Sequence, residues 1–556
     1  MEFIPQGKPF LFMKKKNDRM VGNEAQRFNI LAVCVISELI RTTLGPLGYD
    51  KLIIDPVNEI IISNHGGTIM KNFEVRHPAA KMLDKLVRNM EDEIGDTTKT
   101  AMIYAGELLK KAQIELMDQG VHQNIIIQGY QDALDESLKI IEDSALYDVG
   151  ISQDIIKRVV ETTLNQKFDR DLTKKIEDIV IKTIDFIKED HDDHVKINVK
   201  DNVHILAIQG RGDSDIELID GMVIDLKSDD PDEIKQVKNA KIACIEPSIE
   251  PKKFKFSDMK KQSLKLKSLK EYEQVLSEQI KYLKLKIQKV IDAGANVIFS
   301  RRDLHYKLAP YLKKAGILNA KWVRGWDLEK IAKASGAKLI KNLDYISPEA
   351  LGSADIVEKT RIGSKDVILV KGCKNPKAVT ILIRGSSDYI IYESERRINN
   401  ALHNAKNLLE TKKIIPGGGA VDLEISKNIR AHSRTFSGKE QLVIDTFAKC
   451  MEIIPFTLAE SSGNNPNDVL IKLKSIHSKT EGKNYGVNLS DVNPIDMAKS
   501  GIIEPLVNKK EALQAATELA CAILKIDDII YAQPAEHELA LEEEEAWEEY
   551  YKDQDR

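Results

Sequence analysis

The chain has 556 residues, of which 42% are hydrophobic and 30% are charged, and its formal net charge is −5 at pH 7. That length predicts two to four domains, and the apolar fraction is ordinary for a soluble globular protein. No run approaches 18 consecutive apolar residues and the lysine-rich start has no long apolar run, so neither a membrane span nor a secretory signal peptide is predicted and the cytoplasm is the expected compartment.

The first part of the chain is predicted to be mostly helical. Apolar residues at helical spacing predict a helix over 24–43 that ends at Gly45-Pro46: Phe28, Leu31, Val35 and Leu39. Two β-rich runs, 51–55 and 59–63, predict a hairpin because a turn-forming segment joins them. The next predicted helices cover 78–90, 98–119 and 124–143.

The middle of the chain has a different pattern. Residues 150–200 are mostly helical and charged, and short apolar runs with loops and some helices between them follow. These runs predict strands over 203–209, 222–225, 241–246, 295–299, 337–340, 366–370 and 378–384. The alternation predicts an α/β domain, and residues 388–530 are again largely helical.

A lysine-rich segment interrupts the strand series. Residues 251–270 hold eight lysines against Asp258. A run of apolar residues at steps of three and four then predicts an amphipathic helix: Leu269, Tyr272, Leu276, Ile280, Leu283, Ile287 and Val290. The lysine-rich part has no such stripe, so we expect it to project from the body. Nucleic-acid binding is a weaker alternative, since its aromatic residues are limited to Phe254 and Phe256.

The end of the chain is strongly acidic. Residues 535–556 hold ten acidic residues against two basic ones, so the preceding part has a net charge of about +3. We expect a disordered tail that keeps the protein soluble or, less favoured, binds a partner.

The five cysteines form no CxxC pair and no metal-ligand spacing. Several lie in apolar stretches, which predicts free, mostly buried thiols in a reducing compartment. The set is Cys34, Cys244, Cys373, Cys450 and Cys521.

Three glycine-rich segments carry the strongest functional signal. They are Thr43-Leu44-Gly45-Pro46-Leu47-Gly48, Ile94-Gly95-Asp96-Thr97-Thr98 and, far downstream, Pro416-Gly417-Gly418-Gly419-Ala420. Glycine lets backbone amides approach an anion, and such loops beside helix starts are phosphate sites. If all three line one pocket, the two chain ends form one domain and the middle is an insertion.

Asp96 is the carboxylate best placed in these segments. It lies between a glycine and a predicted helix start, where a phosphate and Mg²⁺ would both be attracted. The alternative is that Asp96 only caps the helix. The sequence contains neither GxxxxGK[ST] nor GxGxxG, which excludes the common P-loop.

Taken together and in order, these segments resemble the group II chaperonins, the family of the archaeal thermosomes and of the eukaryotic cytosolic chaperonin TRiC/CCT. The resemblance extends from about residue 20 to residue 534. The segments that carry it are 42–51, 77–82, 105–109, 293–297, 383–385, 416–420 and 524–530.

The resemblance implies a multidomain α+β and α/β fold with GroEL-like group II chaperonin architecture. A mostly helical equatorial ATP-binding domain would combine 1–145 and 402–534. An intermediate hinge domain would combine 146–214 and 368–401. An α/β apical domain over 215–367 would bind substrate and carry a helical lid protrusion at about 250–275.

The resemblance also implies the ligand site. ATP or ADP would be bound by Leu44, Gly45, Pro46, Asp96, Thr97, Thr98, Lys99, Thr100, Gly417, Gly418 and Asp496, with Mg²⁺ on Asp96. Lys99 would contact a phosphate or, alternatively, face solvent.

Two departures from the family pattern concern hydrolysis. The family has Asn-Asp-Gly where this chain has Asn64-His65-Gly66, and it has an aspartate where this chain has Asn400. Asparagine cannot act as a base, and histidine is a poor Mg²⁺ ligand beside a carboxylate. We therefore expect a catalytic set that is degenerate at His65 and Asn400 and retains Asp96, with Mg²⁺ binding weak or absent.

The implied partners are paralogous chaperonin subunits in a hetero-oligomeric double ring, and non-native proteins, with no nucleic acid and no membrane. The segments at 6–13, 74–78 and 326–328 and the tail around Trp547 are similar to theta-type subunits of the eukaryotic complex. The alternatives are a thermosome-like homo-oligomer and, in different classes, a stand-alone ATPase or phosphotransferase and a nucleic-acid scaffold.

Overall fold

The computed structural model describes residues 19–54, 58, 60–72, 77–146, 152–164, 170–190, 195–209, 215–219, 221–225, 234–250, 269–362, 365–373, 379–385 and 387–530. The acidic end, most of the lysine-rich segment, the hairpin turn and the segments at 6–13 and 74–76 lie outside these described residues.

The first part folds as a strand, a hairpin and five helices, at positions close to those predicted. The elements are β1 (Arg19–Val21), α1 (Asn23–Arg41), β2 (Lys51–Ile54), β3 (Ile60–Ser63), α2 (Gly66–Asn72), α3 (Pro78–Glu93), α4 (Thr98–Lys111) and α5 (Gln123–Asp143). The helix predicted to end at 119 is α-helical only to Lys111, because wider π-type turns over Ala112–Leu116 replace the α-helical hydrogen bonds there.

The apolar stripe that predicts α1 faces outward. Its four residues are 38–57% exposed: Phe28, Leu31, Val35 and Leu39. The face that packs against α3 and α4 is a second apolar stripe, Ile30, Val33, Ile36 and Ile40. Because both faces are apolar, periodicity fixes the helix but not the side that enters the core.

The next part contains two helices, a short helical turn and five strands. These are α6 (Gln153–Leu164), α7 (Arg170–Ile187), β4 (Glu189–Asp190), β5 (Val195–Lys196), α8 (Val199–Asn202), β6 (Val203–Gln209), β7 (Asp215–Ile219) and β8 (Gly221–Asp225).

The middle part alternates strands and helices, as predicted. Its elements are β9 (Gln236–Ile245), α9 (Leu269–Asp292), β10 (Val297–Ser300), α10 (Ala309–Lys314), β11 (Leu318–Ala320), α11 (Gly325–Ser335), β12 (Leu339–Ile340), β13 (Gly352–Ile362) and β14 (Lys365–Cys373). A seven-stranded sheet has the order β11-β10-β9-β13-β14-β8, with β12 also paired to β9. The sequence did not predict β13, since its charged residues interrupt the apolar pattern.

The last part returns to helices. Its elements are β15 (Val379–Gly385), α12 (Asp388–Thr411), β16 (Ile414–Pro416), α13 (Ala420–Ser433), α14 (Gly438–Cys450), α15 (Ile453–Ser461), α16 (Pro466–His477), β17 (Tyr485–Gly486), β18 (Ile495–Asp496), β19 (Ile503–Pro505), α17 (Leu506–Leu524) and β20 (Asp528–Ile530).

The two ends of the chain share one hydrophobic core. Buried residues of α1 to α5 pack with buried residues of α13, α14 and α17, and β1 pairs antiparallel with β20. A second core joins α6 and α7 to α12 and the three-stranded sheet β6-β15-β7. The seven-stranded sheet has a third and a fourth core on its faces. The middle of the chain is therefore inserted into a unit built from both ends.

α12 packs in the second core and also contacts β3 and α17 of the unit built from both chain ends. Its buried residues as far as Leu408 pack in the second core, so residue 402, the predicted domain boundary, lies inside a continuous helix. The described cysteines are free thiols, four of them buried, and no described helix has the length and apolar character of a membrane span.

Candidate nucleotide site

The three glycine-rich segments meet at one cavity of about 750 Å³. Residues 44–46 and 96–100 line it together with Gly418, although these segments are far apart in sequence. α12 contributes Arg396, Arg397, Asn400 and Asn404 to the wall, and α6 contributes further residues. This volume is within the range of small-molecule sites and is sufficient for a nucleotide.

The glycines are required by the backbone of these loops. Gly45, Gly95 and Gly418 have φ values of +81°, +75° and +63°. A Cβ atom on Gly95 would lie 2.2 Å from the ring of His403, and one on Gly418 would lie 2.7 Å from Met497. Since a side chain would be both strained and blocked, these positions require glycine.

The third loop is tied to the segment that follows α16. The carbonyl of Gly418 accepts a hydrogen bond from the amide of Val487 at 2.9 Å, and the amide of Gly417 donates to Ile502 at 3.0 Å. Gly417 and Asp496 are not among the residues that line the cavity, although their neighbours Gly418 and Met497 are. Asp496 instead accepts a hydrogen bond from the amide of Lys499. Direct contact of these two residues with a nucleotide stays a prediction.

Asp96 faces the cavity and is held by two donors. Its Oδ1 accepts from the amide of Thr97 at 2.8 Å, and its Oδ2 accepts from Nδ2 of Asn404 at 2.7 Å. The residue that caps α4 is Thr97, with φ +61°, so Asp96 is not the cap of this helix. The alternative that Asp96 serves only as an N-cap is therefore wrong.

A buried amide network supports Asp96 from below. Nδ2 of Asn404 also donates to Thr163, while its Oδ1 accepts from Asn508 at 2.6 Å. Asn407 donates to Asn508 at 2.9 Å and to the carbonyl of Ile94 at 3.0 Å. The network fixes Asp96 relative to α6, α12 and α17.

Lys99 lies in the cavity wall rather than in solvent. Its side chain is half-buried, its stem packs near Gly66, and its Nζ donates to the carbonyl of Thr43 at 3.0 Å. Burial and the positive charge of Arg396 lower the pKa of Lys99 to about 8. Lys99 thus links the first two glycine-rich loops and faces the same cavity, and the solvent-facing alternative is wrong.

His65 is buried beside the cavity and is neutral. Its Nδ1 accepts from the amide of Thr68 at 3.3 Å, which caps the start of α2. Burial, followed by the charges of Arg396 and Lys99, places the pKa of His65 well below its usual range. A neutral ring whose Nδ1 is used as a cap offers no negative charge to a metal.

Asn400 is buried, and its side-chain amide lies beside two backbone carbonyls. The orientation of this amide is assigned from the hydrogen bonds it permits: with the nitrogen turned toward the carbonyls, Nδ2 donates to Gly95 at 3.0 Å and to Arg396 at 3.2 Å. Those carbonyls accept hydrogen bonds, so an ionised carboxylate could not replace the amide without losing both. This explains in physical terms why an asparagine is stable at this position.

Mg²⁺ has a small set of donors here. Asp96 is the only carboxylate that the described phosphate loops contribute to the cavity wall, whereas Mg²⁺ in phosphate sites is commonly held by one or two carboxylates and phosphate oxygens. The donor set fits one weakly held Mg²⁺ on Asp96.

A buried ion pair anchors the third glycine-rich loop. Asp422, in the first turn of α13, is completely buried, and its Oδ2 lies 3.0 Å from Nζ of Lys509. The Tyr104 hydroxyl donates to the other oxygen of Asp422. Burial acts to lower the pKa of Lys509, but the charges of Asp422 and Glu504 outweigh it and raise the pKa. The contacts connect α4, α13 and α17.

Acid should destabilise the protein through His403. Burial and then the charge of Lys406 lower the pKa of His403 to about 4. The ordinary value is about 6.5, so the unfolded chain binds more protons between these values, and stability is constant above pH 6.5 and falls below it by up to about 3 kcal/mol. Other charges that act on the ring are Asp96, Asp92 and Lys200.

We expect His403→Leu to reduce, but not abolish, the loss of thermal stability between pH 6.5 and pH 4.5, because burial also lowers the pKa of His65 and His204. The measurement is the thermal midpoint against pH, compared with His122→Asn, which changes an exposed histidine and keeps a helix-cap acceptor. Equal acid sensitivity of the two variants would show that His403 is not responsible.

Comparisons with known proteins agree with this architecture. The model of the TCP-1/cpn60 chaperonin family matches residues 36–534. Thermosome subunit alpha of Archaeoglobus fulgidus is 38% identical over 546 residues, 98% of each chain. A thermosome subunit of Pyrococcus abyssi is 38% identical over 532 residues, 96% of each chain. One of Methanocaldococcus jannaschii is 37% identical over 527 residues, 95% of this chain and 96% of that protein.

The chain belongs to the TCP-1/cpn60 chaperonin family. Its fold is the GroEL-like, multidomain architecture of a group II chaperonin subunit. Proteins of this kind are ATP-dependent chaperones that form double rings and act on non-native proteins.

Sequence reasoning missed Arg396, Asn404 and Asn508 as parts of the site. Asn404 lies one helical turn after Asn400, so the i, i+4 spacing on α12 could have indicated it. No sequence pattern connects Asn508 to the glycine-rich segments, because their contact exists only in the folded chain.

Proposed function

We propose that this chain is a chaperonin subunit that binds ATP and ADP but hydrolyses ATP slowly or not at all. The proposal rests on the side chains and hydrogen bonds at two positions in the cavity wall, 65 and 400. His65 is a neutral helix cap, and the Asn400 amide donates to two carbonyls. The Asn400 amide cannot accept a proton from water. His65 is a poor replacement for a carboxylate base, because its Nδ1 already accepts from the Thr68 amide and burial holds the pKa of the ring well below its usual range. Loss of a general base typically costs about 10²- to 10⁴-fold in rate.

Nucleotide binding would use the residues that line the cavity. The amides of Gly45, Asp96, 98–100 and Gly418 would face the phosphates, and the Asp96 carboxylate would hold Mg²⁺ when it is present. Nucleotide binding does not require an intact catalytic set, because it depends on the glycine-rich loops and not on a general base for hydrolysis.

We assign domains on this basis. The core shared by both chain ends would be the equatorial ATP-binding domain. The core around α12 and the three-stranded sheet would be the intermediate domain. The seven-stranded sheet would be the apical substrate-binding domain. Nucleotide would act on the intermediate domain through α12, because this helix carries cavity residues and packs in the second core.

Assembly with other subunits is supported by exposed apolar surface. The outer stripe of α1 and the hairpin residues Leu52, Ile54, Ile60 and Ile62 are 38–66% exposed. Exposed apolar surface of this extent typically marks a protein interface. We propose that it contacts neighbouring subunits in a ring.

We propose a hetero-oligomeric ring in the cytoplasm. A ring of identical copies would have no complete catalytic set, whereas a mixed ring tolerates one weak member. Archaeoglobus fulgidus has relatives named thermosome subunit alpha and subunit beta, both 38% identical to this chain. The finer proposal is a theta-type subunit of the eukaryotic complex. It rests on the sequence segments at 6–13, 74–78 and 326–328 and on the tail around Trp547, most of which lie outside the described residues. The homo-oligomer is the second candidate, since the relatives named above are thermosome subunits.

The test uses the purified full chain and its assembly. We expect a ring near a megadalton in size-exclusion chromatography, radiolabelled ATP bound to this subunit, and bound ATP that persists after several turnovers by active subunits. Rapid conversion of the ATP on this subunit to ADP would contradict slow hydrolysis. A monomer that turns over ATP would instead favour a stand-alone ATPase.

A further inference from the structure

The phosphate end of the cavity contains an unusual lysine. Lys99 is in the first turn of α4, its stem is close to Gly66, and its Nζ donates to the Thr43 carbonyl at 3.0 Å. In the part of the chain that the structure describes, it has no carboxylate at ion-pair distance. A backbone carbonyl does not neutralise an ammonium group, so protonated Lys99 brings a positive charge to the meeting point of the loops.

A second positive charge comes from α12. Arg396 and Arg397 both donate to the carboxylate of Glu393, at 2.6 Å in each case. Two guanidinium groups therefore share this one carboxylate. Both arginines line the cavity, and Arg396 also donates to Asn64, next to His65.

Among the described residues, the cavity wall has fewer carboxylates than basic side chains. Asp96 is the carboxylate of the loops, and each of its oxygens already accepts a hydrogen bond. His65 and Asn400 carry no charge. The described wall also contains the carboxylates Glu161 and Glu504 and the basic residues Arg158 and Lys499. Counted over all described lining residues, five basic side chains face three carboxylates without any metal ion.

We propose that Lys99, assisted by Arg396, balances the phosphate charge of a bound nucleotide in place of a firmly held divalent cation, so that this chain binds ADP almost equally well with and without Mg²⁺. The inference rests on the proposed nucleotide site and deepens it. A cation built into the fold is present at all times, whereas a Mg²⁺ ion held by one carboxylate and phosphate oxygens is lost when a chelator removes it. Charge-assisted hydrogen bonds from a half-buried ammonium to phosphate are among the strong ones.

The experiment measures ADP affinity of the nucleotide-stripped full chain by calorimetry, in millimolar Mg²⁺ and in EDTA. We expect the two dissociation constants to agree within about threefold. Loss of one charge-assisted hydrogen bond would change a dissociation constant by about tenfold or more. We expect Lys99→Ala to weaken ADP binding in EDTA by about 10- to 100-fold. The matched control is Lys110→Ala, which removes the same charge from an exposed position on the same helix.

The outcomes separate the two proposals. ADP binding that requires Mg²⁺ in the wild-type chain would overturn the charge replacement and leave the nucleotide site intact. An absence of ADP binding in both buffers would overturn the nucleotide site itself. Equal affinities for Lys99→Ala and Lys110→Ala in EDTA would show that Lys99 does not contact the phosphates. The wild-type comparison needs no variant, so it remains decisive if Lys99→Ala fails to fold.

Discussion

Replacing His65 and Asn400 together by aspartate is expected to raise the rate at which this chain hydrolyses its own bound ATP by about 10²- to 10⁴-fold, the range of general-base catalysis. Aspartate at position 65 can keep the cap, because its carboxylate accepts from the Thr68 amide as the His65 ring does. Aspartate at position 400 cannot keep the two hydrogen bonds to carbonyls, so we expect it to turn into the cavity.

The matched control is His65→Asn in a chain that retains Asn400. That variant has the shape of the double aspartate variant without either charge, so a difference between them reports the carboxylates. Single-turnover hydrolysis on the assembled complex gives the rate. Equal rates for the two variants would show that these positions do not limit hydrolysis. We also expect the double aspartate variant to melt earlier, because it loses the Asn400 hydrogen bonds.

Lys509→Ala is expected to destabilise the core shared by the two chain ends by about 3–5 kcal/mol, because it leaves the Asp422 carboxylate buried without its ion-pair partner. Lys509 is 5% exposed and Asp422 is fully buried, so water cannot replace the lost partner. The same change should weaken nucleotide binding, since Asp422 lies directly after the Gly417–Gly419 turn and fixes it to α4 and α17. Urea unfolding and ADP affinity measure the two effects.

The neighbouring Lys510 provides the control. Its Nζ lies 3.7 Å from Glu142 and its side chain is 36% exposed, so Lys510→Ala should cost less than about 1 kcal/mol. Similar losses for the two variants would contradict a special role for the buried pair. Lys509→Met combined with Asp422→Asn should recover part of the lost stability, because the fully buried charge of Asp422 is then removed as well. The recovery is incomplete, because Glu504, whose side chain is 28% exposed, also loses Lys509.

Short-range patterns predicted the elements of this chain well. The helix at 124–143 and the strand at 203–209 match the structure within one residue, because their apolar periodicity is regular and their ends carry turn residues. β7 and β13 were missed, since charged residues on an exposed face hide their apolar side. The outward face of α1 shows the same limit: two apolar stripes on one helix do not say which one is buried.

The parts of the site that depend on residues adjacent in sequence were predictable. Glycine at positions with positive φ, and aspartate before a helix, were visible in the sequence at Gly45, Gly95 and Asp96. The support of Asp96 by Asn404 and Asn508 was not, because these amides meet only when α12 and α17 pack together. The same holds for Lys99, whose partner Thr43 is distant in sequence.

The sequence alone determined the glycine-rich loops, the order of helices and strands, and the presence of histidine and asparagine at positions 65 and 400. Only the tertiary structure decided what these residues do. It brought loops from both chain ends to one cavity, made His65 a neutral cap, aimed the Asn400 amide at two carbonyls and placed Lys99 beside the loops. The physical reason is that charge state and hydrogen-bond partners depend on burial and on neighbours distant in sequence, and periodicity and spacing contain neither.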